Sequence, residues 1–334
     1  MVQSLRMKSL WVFIVVAGAL NAGATEPAPH VGLPIADAHF HLMRYMTPED
    51  LLANMNKHNI RWVVSAGAQS IGPTGPNPWF RDAQAADFLK NRYLAAAGWG
   101  EMVRGERDHG VKIYTDEFSP PRNDMLRRMK EQLATGQRVI AETFPNAQTS
   151  SVDPLRQRRL PTDAPYFREI FDIAKQHSIP VPMHMQWHPD SAAQLEKLLT
   201  SDRQGVIILS HCGKDTVAND IRPLLERNPN LFCDLGFRSL PQSEKEGQRW
   251  PERIIFWGDS FFRKADIKAD WKQLIEDYPD RFMVAIDDVH SWDEYAGVVA
   301  AIRQGVLAKL SPATAEKVAY KNAVGIFRLK DPKE

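Results

Sequence analysis

The chain of 334 residues carries 42 Lys and Arg residues against 41 Asp and Glu residues, which leaves a formal net charge of +1 at pH 7. This balance provides no general basic field for nucleic acid or an anionic membrane, and 43% hydrophobic residues exclude a chain that is disordered throughout. Two cysteines are too few for a disulfide framework or a cysteine-rich zinc module. The composition therefore indicates a soluble globular protein whose partner is a small-molecule substrate rather than nucleic acid.

The N-terminal segment has the pattern of a secretory signal peptide. Arg6 and Lys8 form a positive start, and Leu10–Leu20 is an apolar run of 11 residues that small residues follow. The run is about half of the ~20 residues that a membrane-spanning helix needs. We therefore predict that residues 1–24 are removed and that residues 25–334 form one periplasmic or secreted domain without stable membrane insertion. Removal of the two basic residues changes the formal charge from +1 to −1.

Short apolar runs alternate with longer stretches of helical periodicity along the rest of the chain. The alternation predicts eight strands: Leu33–His41, Arg61–Ala66, Tyr93–Gly98, Arg138–Thr143, Ile179–Met185, Val206–His211, Leu231–Leu235 and Phe282–Asp287. The helices with the clearest start or periodicity are one that follows Thr47-Pro48, Asp163–His177, Asp190–Leu199 and one from Ser311-Pro312 through Phe327. Strand and helix in repeated alternation predict an α/β protein that closes into a (β/α)8 TIM barrel. An open doubly wound sheet is the alternative, but no glycine-rich phosphate-binding motif follows a strand.

Two connections are longer than a strand–helix unit requires. Gly100–Asp124 and Gly236–Asp270 are predicted to be βα-loop insertions that shape or cover an active site. Cys212 and Cys233 lie in or beside neighbouring predicted strands. An exported protein could join them in a disulfide, and two buried thiols are the alternative.

The strongest chemical signal is the sequence Asp37-Ala38-His39-Phe40-His41. Alternate residues of a strand share one face, so His39 and His41 are expected to point the same way into the mouth of the barrel. Two neutral imidazoles side by side suit Zn²⁺ or a similar divalent ion. A lone H-x-H is a weak motif, and the interpretation depends on what the other strands provide.

Four further ionisable residues each end a predicted apolar strand: Glu142, His184, His211 and Asp287. Catalytic residues of barrels come from the carboxyl ends of several strands, and metal coordination relieves the cost of burying such groups. The six residues together predict a site for one or two divalent metal ions. Zinc is the first choice, and manganese, iron and cobalt are alternatives.

These residues resemble the amidohydrolase superfamily, and most closely its amidohydrolase-related branch (amidohydrolase 2), which includes aromatic-acid decarboxylases and lactonases. The resemblance extends from Ile35 to Leu329. It is carried by the D-x-H-x-H opening, the fifth-strand histidine, the sixth-strand H-x-G, the eighth-strand aspartate and an N-A…F closing helix: Asp37–His41, Pro182–His184, His211–Gly213, Arg281–Asp287 and Asn322–Phe327. Ala285 stands where the family pattern has glycine, and Ile286 is larger than the pattern expects.

The resemblance implies roles for these residues. In a one-metal site, His39, His41, His184 and Asp287 would hold the ion. His211 would then polarise the substrate carbonyl, and Asp287 would also move a proton.

Glu142 departs from the one-metal pattern. Two-metal relatives carry a bridging carboxylated lysine or glutamate at the end of the fourth strand. In that case the strand-one histidines and Asp287 would hold one ion, and the histidines of strands five and six would hold the other. The alternative is a Glu142 that supports the ligands without binding metal, or that pairs with an arginine such as Arg138, and these interpretations stay open.

Four residues beyond strand ends are weaker candidates for substrate contact: Arg44, Trp187, Arg238 and His290. An arginine would bind a carboxylate or phosphate, and the tryptophan would provide an aromatic wall. Asp288 is expected to face away from Asp287, because neighbouring strand residues alternate.

The sequence thus predicts an enzyme, a metal-dependent hydrolase that uses metal-activated water on an amide, ester or lactone bond of a small molecule. Three alternatives remain: a non-oxidative decarboxylase (a lyase) of an aromatic or unsaturated acid, a two-metal phosphodiesterase, and a non-catalytic metal-binding protein. A homo-oligomer is compatible with the sequence.

Overall fold

The computed structural model describes residues 32–69, 78–147, 158–214, 216–236, 256–257 and 266–332. The predicted signal peptide (1–24), Arg238 and most of the second insertion lie outside these ranges. Within them, every helix is too short or too polar to cross a lipid bilayer.

Parallel strands form the centre of the described structure. The strands in chain order are β1 (Ile35–Leu42), β2 (Ile60–Ala68), β3 (Tyr93–Leu94), β4 (Thr143–Asn146), β5 (Pro180–Gln186), β6 (Val206–Lys214), β7 (Leu231–Asp234), β8 (Phe256–Trp257), β9 (Asp266–Ile267) and β10 (Phe282–Met283). The short strands β8 and β9 pair with each other in antiparallel fashion. All other pairings are parallel, in the orders β1-β2-β3 and β10-β7-β6-β5-β4.

Single parallel bridges join these two sheets on both sides. Ala97 pairs with Ile140 on one side, and Phe40 pairs with Asp287 on the other. The eight parallel strands therefore follow one another around the core in chain order, which is the arrangement of a (β/α)8 TIM barrel. The predicted fold class is confirmed.

Helices cover the outside of the strands. Their bounds are α1 (Pro48–Lys57), α2 (Pro78–Leu89), α3 (Trp99–His109), α4 (Lys112–Thr115), α5 (Pro120–Ala134), α6 (Pro165–His177), α7 (Pro189–Ser201), α8 (Ala218–Arg227), α9 (Ala269–Asp277), α10 (Trp292–Ala301), α11 (Pro312–Glu316) and α12 (Asn322–Phe327). A π-helical turn follows α10 at Ile302–Val306, and another links α11 to α12 at Lys317–Lys321. The predicted start of α1 is confirmed, because the Thr47 side chain accepts a hydrogen bond from the Asp50 backbone N–H at 3.1 Å.

The strands are apolar because both of their faces are covered. Every residue of β1 and of β5 is buried. The strand register brings the carboxyl ends of neighbouring strands to one level: His184 lies opposite Ser210, and Met283 lies opposite Asp234. Side chains at these ends can therefore meet across the barrel.

Several strands differ in extent from the sequence prediction, and the third, predicted at Tyr93–Gly98, is only Tyr93–Leu94. The fourth was predicted at Arg138–Thr143 but lies at Thr143–Asn146, and the residues before it pair only through the bridge at Ile140. The eighth was predicted to reach Asp287 but ends at Met283. Beyond it, the chain stays attached to β1 by separate hydrogen bonds, such as the one from the Asp287 N–H to a β1 carbonyl at 2.7 Å.

Cys212 in β6 and Cys233 in β7 form a disulfide, with their Cα atoms 4.6 Å apart. Both residues are fully buried. The structure thus selects the disulfide over two buried thiols, and the bond joins adjacent barrel strands next to their carboxyl ends.

Replacing both cysteines with alanine should lower the free energy of unfolding by roughly 2–4 kcal/mol, because the unfolded chain is then released from a closed loop. The loop spans a sequence separation of 21 residues. Urea denaturation with and without a thiol reductant measures the effect, and reductant should destabilise only the wild-type protein. Two titratable thiols in denatured, unreduced wild-type protein would contradict the assignment of the disulfide.

Candidate metal centre

Strand β1 carries the first two candidate ligands on one face. The Nε2 atoms of His39 and His41 lie 3.2 Å apart. Their Nδ1 atoms contact other groups: Nδ1 of His41 lies 3.3 Å from the carbonyl oxygen of Gly67, and Nδ1 of His39 lies 3.0 Å from Oδ2 of Asp234. Because a carbonyl only accepts, His41 donates from Nδ1, and its Nε2 atom faces the centre. Nitrogens this close require a proton or a metal cation between them, so the pair suits a metal ion.

Glu142 lies between two pairs of histidines. Its Oε2 atom is 3.3 Å from Nε2 of His41 and 3.4 Å from Nε2 of His39. Its Oε1 atom is 3.3 Å from Nδ1 of His184 and 3.7 Å from Nε2 of His211. Each carboxylate oxygen thus faces a different pair of imidazoles.

The pairing of Glu142 with Arg138 is wrong. Arg138 instead donates a hydrogen bond to the carbonyl oxygen of Arg328 at 2.7 Å. The ion-pair contacts of Glu142 among the described residues are all with histidines.

Burial and charge oppose each other at this centre. Burial alone would raise the pKa of Glu142, but the charge of His39 and hydrogen bonds from His184 and the other histidines hold that pKa well below its usual value. Burial would likewise lower the pKa of His39, but the charges of Glu142 and Asp234 raise it well above its usual value. The carboxylates thus impose a field that favours positive charge among the imidazoles, and a bound metal cation supplies such charge.

Asp287 closes the centre on its outer side. Its Oδ1 atom lies 3.6 Å from Nε2 of His39, and its Oδ2 atom lies 3.5 Å from Nδ1 of His211. Its side chain is 20% exposed, whereas those of Glu142 and the four histidines are at most 8% exposed. Burial raises the pKa of Asp287 to about 7, against the opposing charge of His39. A carboxyl group with this exposure and pKa can exchange protons with a substrate near neutral pH.

All six residues predicted from strand ends therefore meet at one place. Their potential ligand atoms form overlapping groups in which all atoms lie within 4.8 Å: His39, His41 and Glu142; Glu142, His184 and His211; and His39, His211 and Asp287. Imidazole nitrogens and carboxylate oxygens suit zinc, iron, manganese or cobalt.

The expectation that Asp288 faces away from Asp287 is wrong. One carboxylate oxygen of Asp288 lies in a group with His41 and Asp287 whose atoms are within 4.8 Å of one another. The reason is that Asp287 has a φ of 69°, in the left-handed region, so the alternation of an extended strand is broken at this residue.

The end of β6 also leaves extended geometry. His211 and Cys212 have φ values of 57° and 51°, which non-glycine residues rarely adopt. The His211 N–H donates to Oδ1 of Asp234 at 2.9 Å, and the Thr216 hydroxyl donates to the Cys212 carbonyl at 2.8 Å. These contacts hold the turn that aims the His211 imidazole at the centre.

Two buried aspartates that contact the centre were not predicted as site residues. Asp234 belongs to the strand Leu231–Leu235, and the signal was an acidic residue within an apolar run, the same signal that identified Glu142 and Asp287. Asp37 lies in the D-x-H-x-H motif. Its Oδ1 atom accepts from the backbone N–H of His39 at 3.2 Å and of Ile286 at 2.9 Å. Burial raises the pKa of Asp37 to about 8.

Aromatic rings pack directly against the ligand histidines. The ring of Trp99 lies 5.2 Å from that of His41, and the ring of Phe144 stacks on that of His184 at 4.8 Å. Trp99 occupies the space beside Gly67, where any Cβ atom would overlap its indole. Sequence analysis did not identify these two aromatic residues, although each directly follows a predicted strand. Trp99 follows Gly98, and Phe144 follows Thr143.

A narrow cleft with a cavity volume of about 20 Å³ is lined by Glu142 and by both residues of this aromatic wall. Its lining includes Tyr114 and Tyr166, together with an ion pair between Arg158 and Glu106. The Arg158 guanidinium lies 5.0 Å from the ring centroid of Tyr114. Helices α3, α4 and α6 provide most of the lining, so the first predicted insertion does border the centre.

The structure describes three of the four weaker candidates. Arg44 and His290 are exposed. Trp187 is partly buried and packs against the core near Gly213. Arg238 lies outside the described residues.

Comparison with known proteins gives one family match. A family model described as amidohydrolase matches residues 36–329. No protein of curated function matches the sequence at a significant level.

Solved structures with a similar fold cover nearly the whole chain. An amidohydrolase of Burkholderia multivorans with bound zinc has a TM-score of 0.51 at 15% identity, over 89% of this chain and 100% of that one. An uncharacterised TIM-barrel protein of Bordetella bronchiseptica has a TM-score of 0.55 at 14% identity, over 90% and 100%. A protein of Acinetobacter baumannii described as a probable 2-pyrone-4,6-dicarboxylic acid hydrolase, with citric acid bound, has a TM-score of 0.51 at 12% identity, over 89% and 100%. At these identities the likeness shows the fold.

Replacing Asp37 with alanine should destabilise the metal-free protein by roughly 2–4 kcal/mol, because two buried backbone N–H groups lose their acceptor. Asparagine keeps that acceptor and matches the neutral carboxyl group that the raised pKa favours, so Asp37→Asn should cost less. Urea denaturation in the presence of a chelator compares the two variants. Equal losses would contradict the role of the Asp37 oxygen.

Proposed function

Because the chain belongs to the amidohydrolase family, we propose that it is a metal-dependent hydrolase of an amide, ester or lactone bond in a small molecule. The observation that carries the proposal is the position of Glu142, one oxygen of which faces each pair of buried histidines. We expect a buried carboxylate that faces four imidazoles to be part of a site that binds metal cations.

The donor set suits two ions. His39, His41 and Asp287 would hold one of them, His184 and His211 would hold the other, and Glu142 would bridge them. Zinc is the proposed metal, because its ligands in proteins are imidazoles and carboxylates. The related fold from Burkholderia multivorans was solved with zinc. When bound, such ions lower the pKa of water to about 7 and polarise a carbonyl oxygen.

Asp287 would move the proton of the reaction. Its carboxylate accepts a proton as water adds to the carbonyl carbon, and it returns that proton to the leaving nitrogen or oxygen as the bond breaks. Its partly exposed side chain, next to the candidate ligands, supports this role. The wall that Trp99 and Phe144 form would hold the apolar part of the substrate.

The aromatic cleft also favours a second candidate, decarboxylation of an aromatic or unsaturated acid. Trp99 and Phe144 offer flat surfaces next to the ligand histidines, which suit a planar substrate. The two reactions differ in their use of water. Hydrolysis in ¹⁸O-labelled water labels the acid product, whereas decarboxylation releases CO₂ and leaves an organic product without ¹⁸O. A substrate panel of amides, esters, lactones, aromatic acids and phosphodiesters with zinc or manganese would distinguish them.

We also propose that the protein is exported and loses residues 1–24. The disulfide between Cys212 and Cys233 supports an oxidising location. Mass spectrometry of the protein from its native host gives the mature N-terminus.

Metal analysis tests the centre itself. Protein reconstituted with zinc should hold about two ions per chain, and Glu142→Gln should hold about one or fewer, because the bridging charge is lost. Glu101→Gln is the matched control, since Glu101 is a buried glutamate of α3 that pairs with Arg104. Fewer than about half an ion in the wild-type protein would refute the proposal.

Asp287→Asn should reduce turnover by about 10²–10⁴-fold, because asparagine cannot accept and return the proton. Circular dichroism should show an unchanged fold. Asp293→Asn, an exposed change in the first turn of α10, should keep full activity. Turnover by Asp287→Asn at the wild-type rate would rule out the proton-transfer role.

A further inference from the structure

Asp234, the last residue of β7, contacts two of the candidate ligands from behind. Its Oδ2 atom lies 3.0 Å from Nδ1 of His39. Its Oδ1 atom accepts from the backbone N–H of His211 and of Gly236, each at 2.9 Å. The side chain of Asp234 is fully buried. One carboxylate thus connects a ligand on β1 with a ligand on β6.

The direction of these hydrogen bonds follows from the groups involved. Both bonds at Oδ1 come from backbone N–H groups, which can only donate, so Asp234 acts as an acceptor there. A carboxylate oxygen likewise accepts at Oδ2, so His39 donates from Nδ1. Nε2 of His39 is then left to face Glu142 at 3.4 Å and His41 at 3.2 Å.

The contact between Asp234 and His211 leaves no room for a side chain beside it. A Cβ atom at Gly236 would lie 2.6 Å from Nδ1 of His211 and 2.9 Å from Oδ1 of Asp234. The disulfide joins the residues next to both groups, since Cys212 follows His211 and Cys233 precedes Asp234. The backbone therefore holds the carboxylate at a fixed distance from both ligands.

We propose that Asp234 is a positioning residue that orients His39 through Nδ1 and holds the His211 backbone in its left-handed conformation, and that it thereby sets the metal affinity of the centre. This inference rests on the proposed function, because it assumes that the centre binds metal. A carboxylate behind a ligating imidazole fixes the ring and increases the electron density at the opposite nitrogen, and loss of such a partner costs about 10–100-fold in affinity.

The test replaces one carboxylate oxygen of Asp234 with an amide nitrogen. In Asp234→Asn, the remaining oxygen can still accept from the His211 and Gly236 backbones, but an amide N–H₂ now faces Nδ1 of His39. His39 must then accept at Nδ1 and carry its proton on Nε2, towards the centre. Titration of chelator-treated protein with Zn²⁺ against a chelating dye should show affinity lowered by about 10–100-fold.

Asp82→Asn is the matched control. Asp82 is also a buried aspartate, but its oxygens accept from the Tyr93 hydroxyl and the Ala96 backbone N–H rather than from a candidate ligand. This variant should bind Zn²⁺ like the wild-type protein. Thermal unfolding of the metal-free Asp234→Asn protein, compared with that of the control, shows whether a loss of affinity reflects general loss of structure.

A second measurement separates this inference from the proposed function. Long-range ¹H–¹⁵N spectra of imidazole-labelled protein should show a proton on Nδ1 of His39 in the wild type and none there in Asp234→Asn. An unprotonated Nδ1 in the wild-type protein would overturn the inference, even if the variant does not fold. Tight Zn²⁺ binding by the wild type and equally tight binding by Asp234→Asn would overturn the positioning role and leave the proposed hydrolase standing. Absence of Zn²⁺ binding in the wild type would refute both the hydrolase and the effect on affinity.

Discussion

One buried negative charge organises the centre of this protein. The Glu142 carboxylate lies within 3.3–3.7 Å of four imidazoles that come from three different strands. A carboxylate this deeply buried is stable only among cationic or hydrogen-bonding partners. The surrounding structure positions them: the Gly67 carbonyl contacts Nδ1 of His41, Asp234 contacts His39, and the bridge between Phe40 and Asp287 joins the segment after β10 to the first strand.

The sequence predicted the residues of this centre because the barrel follows simple rules. Alternation along β1 put His39 and His41 on one face, and each of the four other residues ended an apolar run. A parallel barrel brings all such ends together, so their meeting did not depend on the details of any loop. The fold class was predictable for the same reason.

What the sequence did not predict depends on backbone handedness and on helix placement. Asp288 turns towards the centre because Asp287 adopts a left-handed φ, and nothing in the residue types shows this. Trp99 contacts His41 because it is the first residue of α3, which is separated from the third strand by four residues. Asp234 is an acidic residue within an apolar strand, which is the pattern that identified Glu142. Its side chain contacts candidate ligands but is not itself a candidate ligand. The exposure of Arg44 and His290 is decided by loop paths that residue type does not encode.

Gly67 contacts both a candidate metal ligand, His41, and a residue of the aromatic wall, Trp99. Its carbonyl oxygen holds Nδ1 of His41, and its missing side chain leaves the space that the Trp99 indole fills. Its φ of 142° is one that residues with a side chain rarely adopt. A lineage that acquires a new substrate can therefore remodel the outer helices of the cleft freely, but it cannot move the tryptophan wall at this point without also loosening a metal ligand. Diversification of this scaffold should accordingly begin at the far end of the cleft and leave Gly67 untouched.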